Sequence, residues 1–228
     1  RKDSSTVGLL GSGGMAKDHL RSVVHVRDIQ KVNVYSPTKA HRETFAKTMA
    51  AELEVDIEPV ATPEAAVRDV DIIMGLTDSA VPVIRPEYIK PGQHLLNVGG
   101  GGGIPSAVQK KVSKFLRFGN TDPPVGWPDV LFDDEYLTWQ ARSGFSEKAL
   151  ASSKRAHGAV GGDRLIYLAE VIKTGYFDRQ PEDVTYSERG NLQGNQFHAV
   201  AGLLYEKALE AGVSREIPTE LFLQDIRN

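Results

Sequence analysis

The stretch Thr6-Val7-Gly8-Leu9-Leu10-Gly11-Ser12-Gly13-Gly14-Met15-Ala16 decides how the rest of the chain is read. Its first five residues form a short apolar run of the kind that makes a buried strand. From Ala16 onward the apolar positions Ala16, Leu20, Val23 and Val24 follow helical spacing. A GxGxxA turn therefore sits directly between a strand and a helix. Gly11 permits the tight turn, Gly13 lets a pyrophosphate approach the main chain, and Ala16 lets the helix pack close to the strand. The helix start adds unpaired N–H groups and a partial positive charge suited to phosphates. A tight turn with no ligand is the alternative.

Outward from this turn, β-branched runs alternate with helical patterns, as in a parallel α/β sheet. KVNVY at 31–35 alternates as a second strand. Ser36-Pro37 reads as an N-cap with proline at the first helical position, opening a helix to about Ala51. Residues 55–60 form a third strand, and Thr62-Pro63-Glu64 repeats the cap-plus-proline signal. DIIMGL at 71–76, HLLNV at 94–98 and residues 115–118 supply three more strands. Residues 120–134 hold three prolines and no period, so they read as an irregular segment. Helicity resumes over 165–172 and stops at Gly175. DVTYSE at 183–188 reads as a strand. Phe197, Val200, Ala201, Leu204, Tyr205, Ala208 and Leu209 then mark a long amphipathic helix closed by Gly212. The expected fold is a Rossmann-type doubly wound parallel α/β sheet with a C-terminal helical return. Residues 1–190 would form the dinucleotide-binding domain, and 191–228 a helix and tail that pack on a substrate or dimerisation domain.

Composition narrows the function. The 228 residues carry 27 Lys+Arg against 30 Asp+Glu, a formal net charge of -3. With no basic excess to neutralise a phosphate backbone, general nucleic-acid binding is disfavoured. The 40% hydrophobic and 25% charged fractions describe an ordinary globular protein. The absence of cysteine excludes disulfides, a thiolate nucleophile and cysteine metal sites, and suits a cytoplasmic setting. No run of about 18 apolar residues suggests a membrane span, and RKDSSTVGLL does not read as a signal peptide.

The second-strand exit bears on which dinucleotide would bind. An NAD site usually places Asp or Glu there for the ribose 2′-hydroxyl. This chain reads Tyr35-Ser36-Pro37-Thr38-Lys39-Ala40-His41-Arg42, without a carboxylate before Glu43. Ser36 and Thr38 can donate to a 2′-phosphate, and Lys39 and Arg42 can neutralise it, so NADP is expected, with NAD possible. Solvated surface charges are the alternative for Lys39 and Arg42. Thr77, Asp78 and Ser79 follow the fourth strand, and Val98, Gly99 and Gly100 follow the fifth, where open α/β sheets bind ligands. The five-glycine run at 99–103 either admits the nicotinamide half close to backbone or is a flexible loop. Six histidines are present, none in a metal-binding spacing such as HExxH. His19, His25, His94 and His198 fall within helices or strands and read as structural, and no metal site is expected. Asp122 follows a strand end, where a loop carboxylate is usually solvated.

Several strings taken together resemble the ornithine cyclodeaminase/mu-crystallin family. They are VGLLGSGGMAKDHLRSVVHVRDIQKVNVYSPTKAHRETFA, Asp71-Ile72-Ile73 leading to Thr77-Asp78-Ser79, and KPGQHLLNVGG. AHGAVGGDRLIYLAEVI, DVTYSERGN and REIPTELFLQDIRN complete the set. The resemblance implies NAD(P)-dependent chemistry at an amino-acid or imino-acid carbon, usually in a homodimer. It places Gly11, Ser12, Gly13, Gly14 and Met15 at the pyrophosphate, and Ser36, Thr38 and Lys39 at the adenosine phosphate. Thr77, Ser79, Val98 and Gly99 fall near the ribose and nicotinamide, and Ser187, Gly190 and Asn191 in the segment that closes over the nicotinamide. Where cyclodeaminases carry an aspartate after the fifth strand, this chain has residues 99–105 without a carboxylate. That points away from ornithine cyclisation itself, which needs proton handling there. The family's N-terminal substrate segment, with its arginine and lysine, is expected to be absent, and the catalytic residues stay unassigned. The expected activity is imine reduction or amino-acid dehydrogenation. The alternatives are ornithine cyclodeamination and non-catalytic, NADPH-dependent ligand binding of mu-crystallin type. A methyltransferase is disfavoured for want of the ribose-binding carboxylate.

Overall fold

A computed structural model of the chain describes residues 1–79, 81–98, 104–117, 164–187 and 193–213, with 215, 216 and 218. The N-terminal half alternates strand and helix: β1 (Thr6–Leu10), α1 (Gly14–Val26), β2 (Lys31–Tyr35), α2 (Lys39–Leu53), β3 (Asp56–Pro59) and α3 (Pro63–Val67). Then come β4 (Ile72–Leu76), a 3-10 turn at Pro86–Tyr88, β5 (His94–Val98), α4 (Ser106–Gln109) and β6 (Lys114–Arg117). Beyond them lie β7 (Leu165–Tyr167), α5 (Leu168–Thr174), β8 (Thr185–Ser187) and α6 (Gln193–Ala211). The strands form one eight-stranded sheet of order β3-β2-β1-β4-β5-β8-β6-β7. Every neighbouring pair is parallel. This is the doubly wound α/β architecture that the alternating pattern predicts.

A parallel sheet covered on both faces needs apolar residues on both, and the strands supply them in alternation. Along β4, Ile72 and Met74 join the core under α1 and α2 with Val7, Leu9, Leu20 and Phe45. Ile73 points the other way, into the core of Ala66, Val67, Leu95, Val108 and Phe115. Gly8 sits where α3 crosses β1, and a Cβ there would stand 2.5 Å from the Ala66 carbonyl oxygen. At the opposite end of the sheet, Asp71 ties β1 to β4. It accepts from the Ser5 and Thr6 N–H groups at 2.8 and 3.1 Å and from the Thr6 hydroxyl at 2.9 Å.

Two local expectations are corrected. Ser36 does not cap α2; the helix starts at Lys39, with Thr38 at the cap position and no side-chain cap bond. Ser36 is instead buried, and Arg42 Nη1 donates to the Ser36 carbonyl at 2.9 Å, holding an open turn ahead of the helix. Residues 165–167, expected to be helical, form β7, because Leu165, Ile166 and Tyr167 pair with Phe115, Leu116 and Arg117 of β6. Short apolar runs fit strand or helix equally, and here tertiary pairing decides. The helix that follows ends at Gly175, whose φ is +66°. The glycine run at 99–103, the proline-rich segment at 120–134, Asp122 and His157 lie outside the described residues.

Packing divides the chain into two compact units, Arg1–Asn191 and Leu192–Asn228. In the second, α6 carries Phe197, Val200, Leu203, Leu204, Tyr205 and Leu209, all more than half exposed. Among the described residues no helix is long and apolar enough to cross a membrane. None of their His, Asp and Glu residues form a group that could hold a metal ion.

Candidate functional site

The sheet winds one way from β1 through β2 to β3 and the other way from β4 to β5, so the crossovers diverge between the carboxyl ends of β1 and β4. Open α/β sheets present a crevice at such a switch point. Here it is a cleft of about 870 Å³. One wall is the turn Gly11-Ser12-Gly13-Gly14-Met15, another is the β2 exit Tyr35-Ser36-Pro37 with His41, and a third is the β4 exit Thr77-Asp78-Ser79 continuing to Val83. Val98, at the end of β5, also lines it.

Backbone geometry makes the first wall. Gly11 has φ +121° and donates its N–H to the Tyr35 carbonyl at 2.9 Å. A Cβ on Gly11 would lie 1.9 Å from the Leu76 carbonyl oxygen, so only glycine lets β1 turn out between β2 and β4. At Gly13 and Gly14 a Cβ would meet nothing within 4 Å, which leaves their backbone open. Helix α1 starts on Gly13 with no side-chain cap and no acidic residue in its first turn. The Ala16 N–H is satisfied by the Gly13 carbonyl at 3.1 Å. The earlier N–H groups keep the donor capacity that an anion at a helix start uses. Ala16 itself is fully buried, which brings the helix down onto the sheet.

The third wall is built by its own hydroxyls. Thr77 Oγ1 accepts from the Ser79 N–H at 3.2 Å, and Ser79 Oγ donates to the Val81 carbonyl at 2.9 Å. These local turns fix the loop that carries Val81, Pro82 and Val83 over the cleft. Among the described residues, the acidic and basic side chains on the lining are Asp78 and Arg85, joined by the His41 ring. Arg85 Nη1 lies 3.4 Å from Glu64 Oε1, with its guanidinium 5.9 Å from the centre of the Tyr88 ring. The Tyr88 hydroxyl donates to the same Glu64 oxygen at 2.9 Å. Burial, aided by that carboxylate, pushes the Tyr88 phenol up to about 12. Glu64 is held below its ordinary range by its own backbone N–H at the start of α3 and by the Tyr88 hydroxyl.

Of the residues singled out from sequence, Gly11 to Met15, Ser36, Thr77, Asp78, Ser79 and Val98 come together on this cleft. Thr38, Lys39 and Arg42 are not among its lining residues. Lys39 is exposed and stands 3.7 Å from Glu43 one helical turn on, and Arg42 is engaged with the Ser36 carbonyl. Ser187 closes β8 opposite Leu96 and is not on the lining either. Gly99, Gly100, Gly190 and Asn191 lie outside the described residues. Sequence reading missed His41, Pro63 and Arg85. Proline at 63 was visible as a helix start, but nothing in the spacing of Arg85 connects it to the β2 exit.

Residues 1–114 match the ornithine cyclodeaminase/mu-crystallin family, and the chain belongs to it. It is 31% identical over 218 residues to a Delta(1)-pyrroline-2-carboxylate reductase of Bacillus cereus, across 95% of this chain and 62% of that protein. To the ketimine reductase mu-crystallin of Macropus fuliginosus it is 28% identical over 96 residues, 42% of this chain and 29% of the other. Its fold is shared with the Thermococcus litoralis Delta(1)-pyrroline-2-carboxylate reductase solved with NADH and L-proline. That likeness has a TM-score of 0.66 at 24% identity and covers 95% of this chain and 62% of the other. The iminosuccinate reductase of Paracoccus denitrificans, solved with NAD+, gives a TM-score of 0.68 at 22% identity, covering 95% and 61%. The chain thus spans no more than 62% of the length of any of these relatives.

Proposed function

We propose that the chain is the nucleotide-binding part of an NAD(P)-dependent oxidoreductase that transfers hydride at an amino-acid or imino-acid carbon, by imine reduction or amino-acid dehydrogenation. The observation that carries this reading is the switch-point cleft, where a Cβ-intolerant Gly11 turn delivers an uncapped helix start. The donor set fits a dinucleotide. The open backbone at Gly13 and Gly14 leaves room for a pyrophosphate, and the first-turn N–H groups of α1 would bind it. Ser36 would meet the adenosine ribose and its phosphate, and Thr77, Ser79 and Val98 the ribose and nicotinamide half. The nicotinamide supplies or accepts the hydride, and the protein's share is to bind, orient and exclude water.

The β2 exit favours NADP over NAD, because Tyr35-Ser36-Pro37 offers the ribose no carboxylate. The relatives that act on pyrroline carboxylate, ketimine and iminosuccinate support a small imino or amino acid as substrate. The α6 segment would pack on a substrate or dimerisation domain, in a homodimer working in the cytoplasm. Titration of the chain with NADPH and NADH, followed by nucleotide fluorescence, tests the cofactor reading directly. Saturable binding with tighter NADPH is the expected result, and no binding of either nucleotide removes the proposal. Oxidation of NADPH by pyrroline carboxylate, or by a keto acid plus amine, tests the reaction in a protein that includes the substrate half. Tight NADPH binding with no product from any imine would favour ligand binding without catalysis.

A further inference from the structure

We propose that Arg85, on the loop between β4 and β5, is the cation that selects for the adenosine 2′-phosphate of NADPH. The assignment rests on the dinucleotide reading above and adds a specificity residue to it. Neutralising a phosphate monoester at the β2 exit takes a cation, and Lys39 and Arg42, which sequence spacing favours for it, do not line the cleft. Arg85 does, and among the described residues it is the one Lys or Arg on the lining.

The fold carries Arg85 to the right place. Strand β3 pairs with β2, and the Val60 N–H extends that pairing by donating to the Val34 carbonyl at 2.9 Å. Thr62-Pro63-Glu64 therefore emerges beside the β2 exit, where Ser36 and Pro37 sit. Arg85 is tethered there by Glu64, and Pro63, Ser36, Pro37 and His41 share the same cleft lining. The tether is loose: the Arg85–Glu64 pair is 3.4 Å long, and both side chains are about half exposed, at 53% and 51%. Exposed ion pairs of this kind contribute little, so a dianionic phosphate can take the guanidinium without a large loss. Glu64 would remain held by the Tyr88 hydroxyl and its own helix start. Ser36 and His41, which line the same cleft, would add a hydroxyl donor and a ring donor to the phosphate.

The test is fluorescence titration of the whole chain and its variants with NADPH and NADH. Arg85→Gln is expected to weaken NADPH binding about ten- to hundredfold, the effect of losing a charge-assisted contact. NADH binding should stay within about twofold. Arg85→Lys, which keeps the charge without the planar fork, should recover part of the loss. Lys39→Gln should leave NADPH binding nearly unchanged. Equal weakening of both nucleotides by Arg85→Gln would place Arg85 on the shared adenosine rather than on the phosphate, and overturn the assignment. So would an unchanged NADPH affinity, or a selective loss on Lys39→Gln. A wild-type chain that binds NADH but not NADPH refutes Arg85 as a phosphate site while leaving the dinucleotide reading standing. One that binds neither removes both.

Discussion

At the scale of single residues, the glycines of the first turn do different jobs. Gly11 is required by the fold, since any Cβ would strike the Leu76 carbonyl and the backbone sits at φ +121°. Gly11→Ala is expected to cost at least about 2 kcal/mol by urea denaturation, combining strain with overpacking. Gly13 has room for a side chain and an extended φ of -77°. Gly13→Ala should leave stability within about 0.5 kcal/mol and still weaken nucleotide binding roughly tenfold or more, as the methyl occupies the anion's approach. The pair separates a glycine kept for the chain from one kept for the ligand. Asp71 is a different case. Burial raises its pKa, but the Ser5 and Thr6 hydrogen bonds outweigh it and hold the carboxyl below its ordinary value. Its contribution is present above the ordinary carboxylate pKa and is lost as pH falls through the lowered one. Asp71→Ala should destabilise by about 1–3 kcal/mol at neutral pH, since the Ser5 and Thr6 N–H groups, the Thr6 hydroxyl and Arg1 all lose that acceptor, and should flatten the acid limb of a stability-versus-pH curve.

Among the elements, α3 repays attention because so short a helix positions so much. Thr62 accepts from the Ala65 N–H at 3.1 Å, and Pro63 fills the first helical position. Both devices were legible as Thr62-Pro63-Glu64. Thr62→Ala should cost about 1 kcal/mol by urea denaturation, and it should also loosen Glu64 and hence Arg85. The same cap-plus-proline signal does not hold at Ser36-Pro37, where the Arg42 side chain donates to the Ser36 carbonyl and the helix starts at Lys39. Strand β7 was misread for the opposite reason. Its three residues gain their form only from β6 beside them, a neighbour far away in sequence.

For the whole molecule, the face of the sheet that carries Ile72 and Met74 has a titration of its own. His94 opens β5, with Nδ1 2.8 Å from the Thr185 hydroxyl on β8. Burial, then the positive charges of the N-terminal amine, Arg179 and Arg27, pull its pKa down to about 4. The unfolded chain takes up this proton near pH 6.5 while the folded one refuses it, so stability is full above pH 6.5 and declines from there towards pH 4. The decline is expected to be on the order of 1–3 kcal/mol, measured as a falling urea midpoint. His94→Gln should remove that slope without changing the acid limb governed by Asp71.

What the sequence determined by itself is local: the strand–turn–helix at 6–16, the period-two and period-3.6 alternation that makes a parallel sheet, and the absence of a carboxylate at the β2 exit. These follow from backbone sterics and hydrophobic period, which neighbouring residues specify on their own. Tertiary structure decided what depends on distant segments meeting. Insertion of β8 between β5 and β6 is one such outcome, since residues 185–187 find both partners only in the folded sheet. Which of the described cations reaches the cleft lining is another. Lys39 and Arg42 are near the site in sequence but turn to Glu43 and to a backbone carbonyl, while Arg85 arrives from a loop by way of Glu64. Charge placement depends on where long side chains find partners, and that is fixed only after the strands have set the walls.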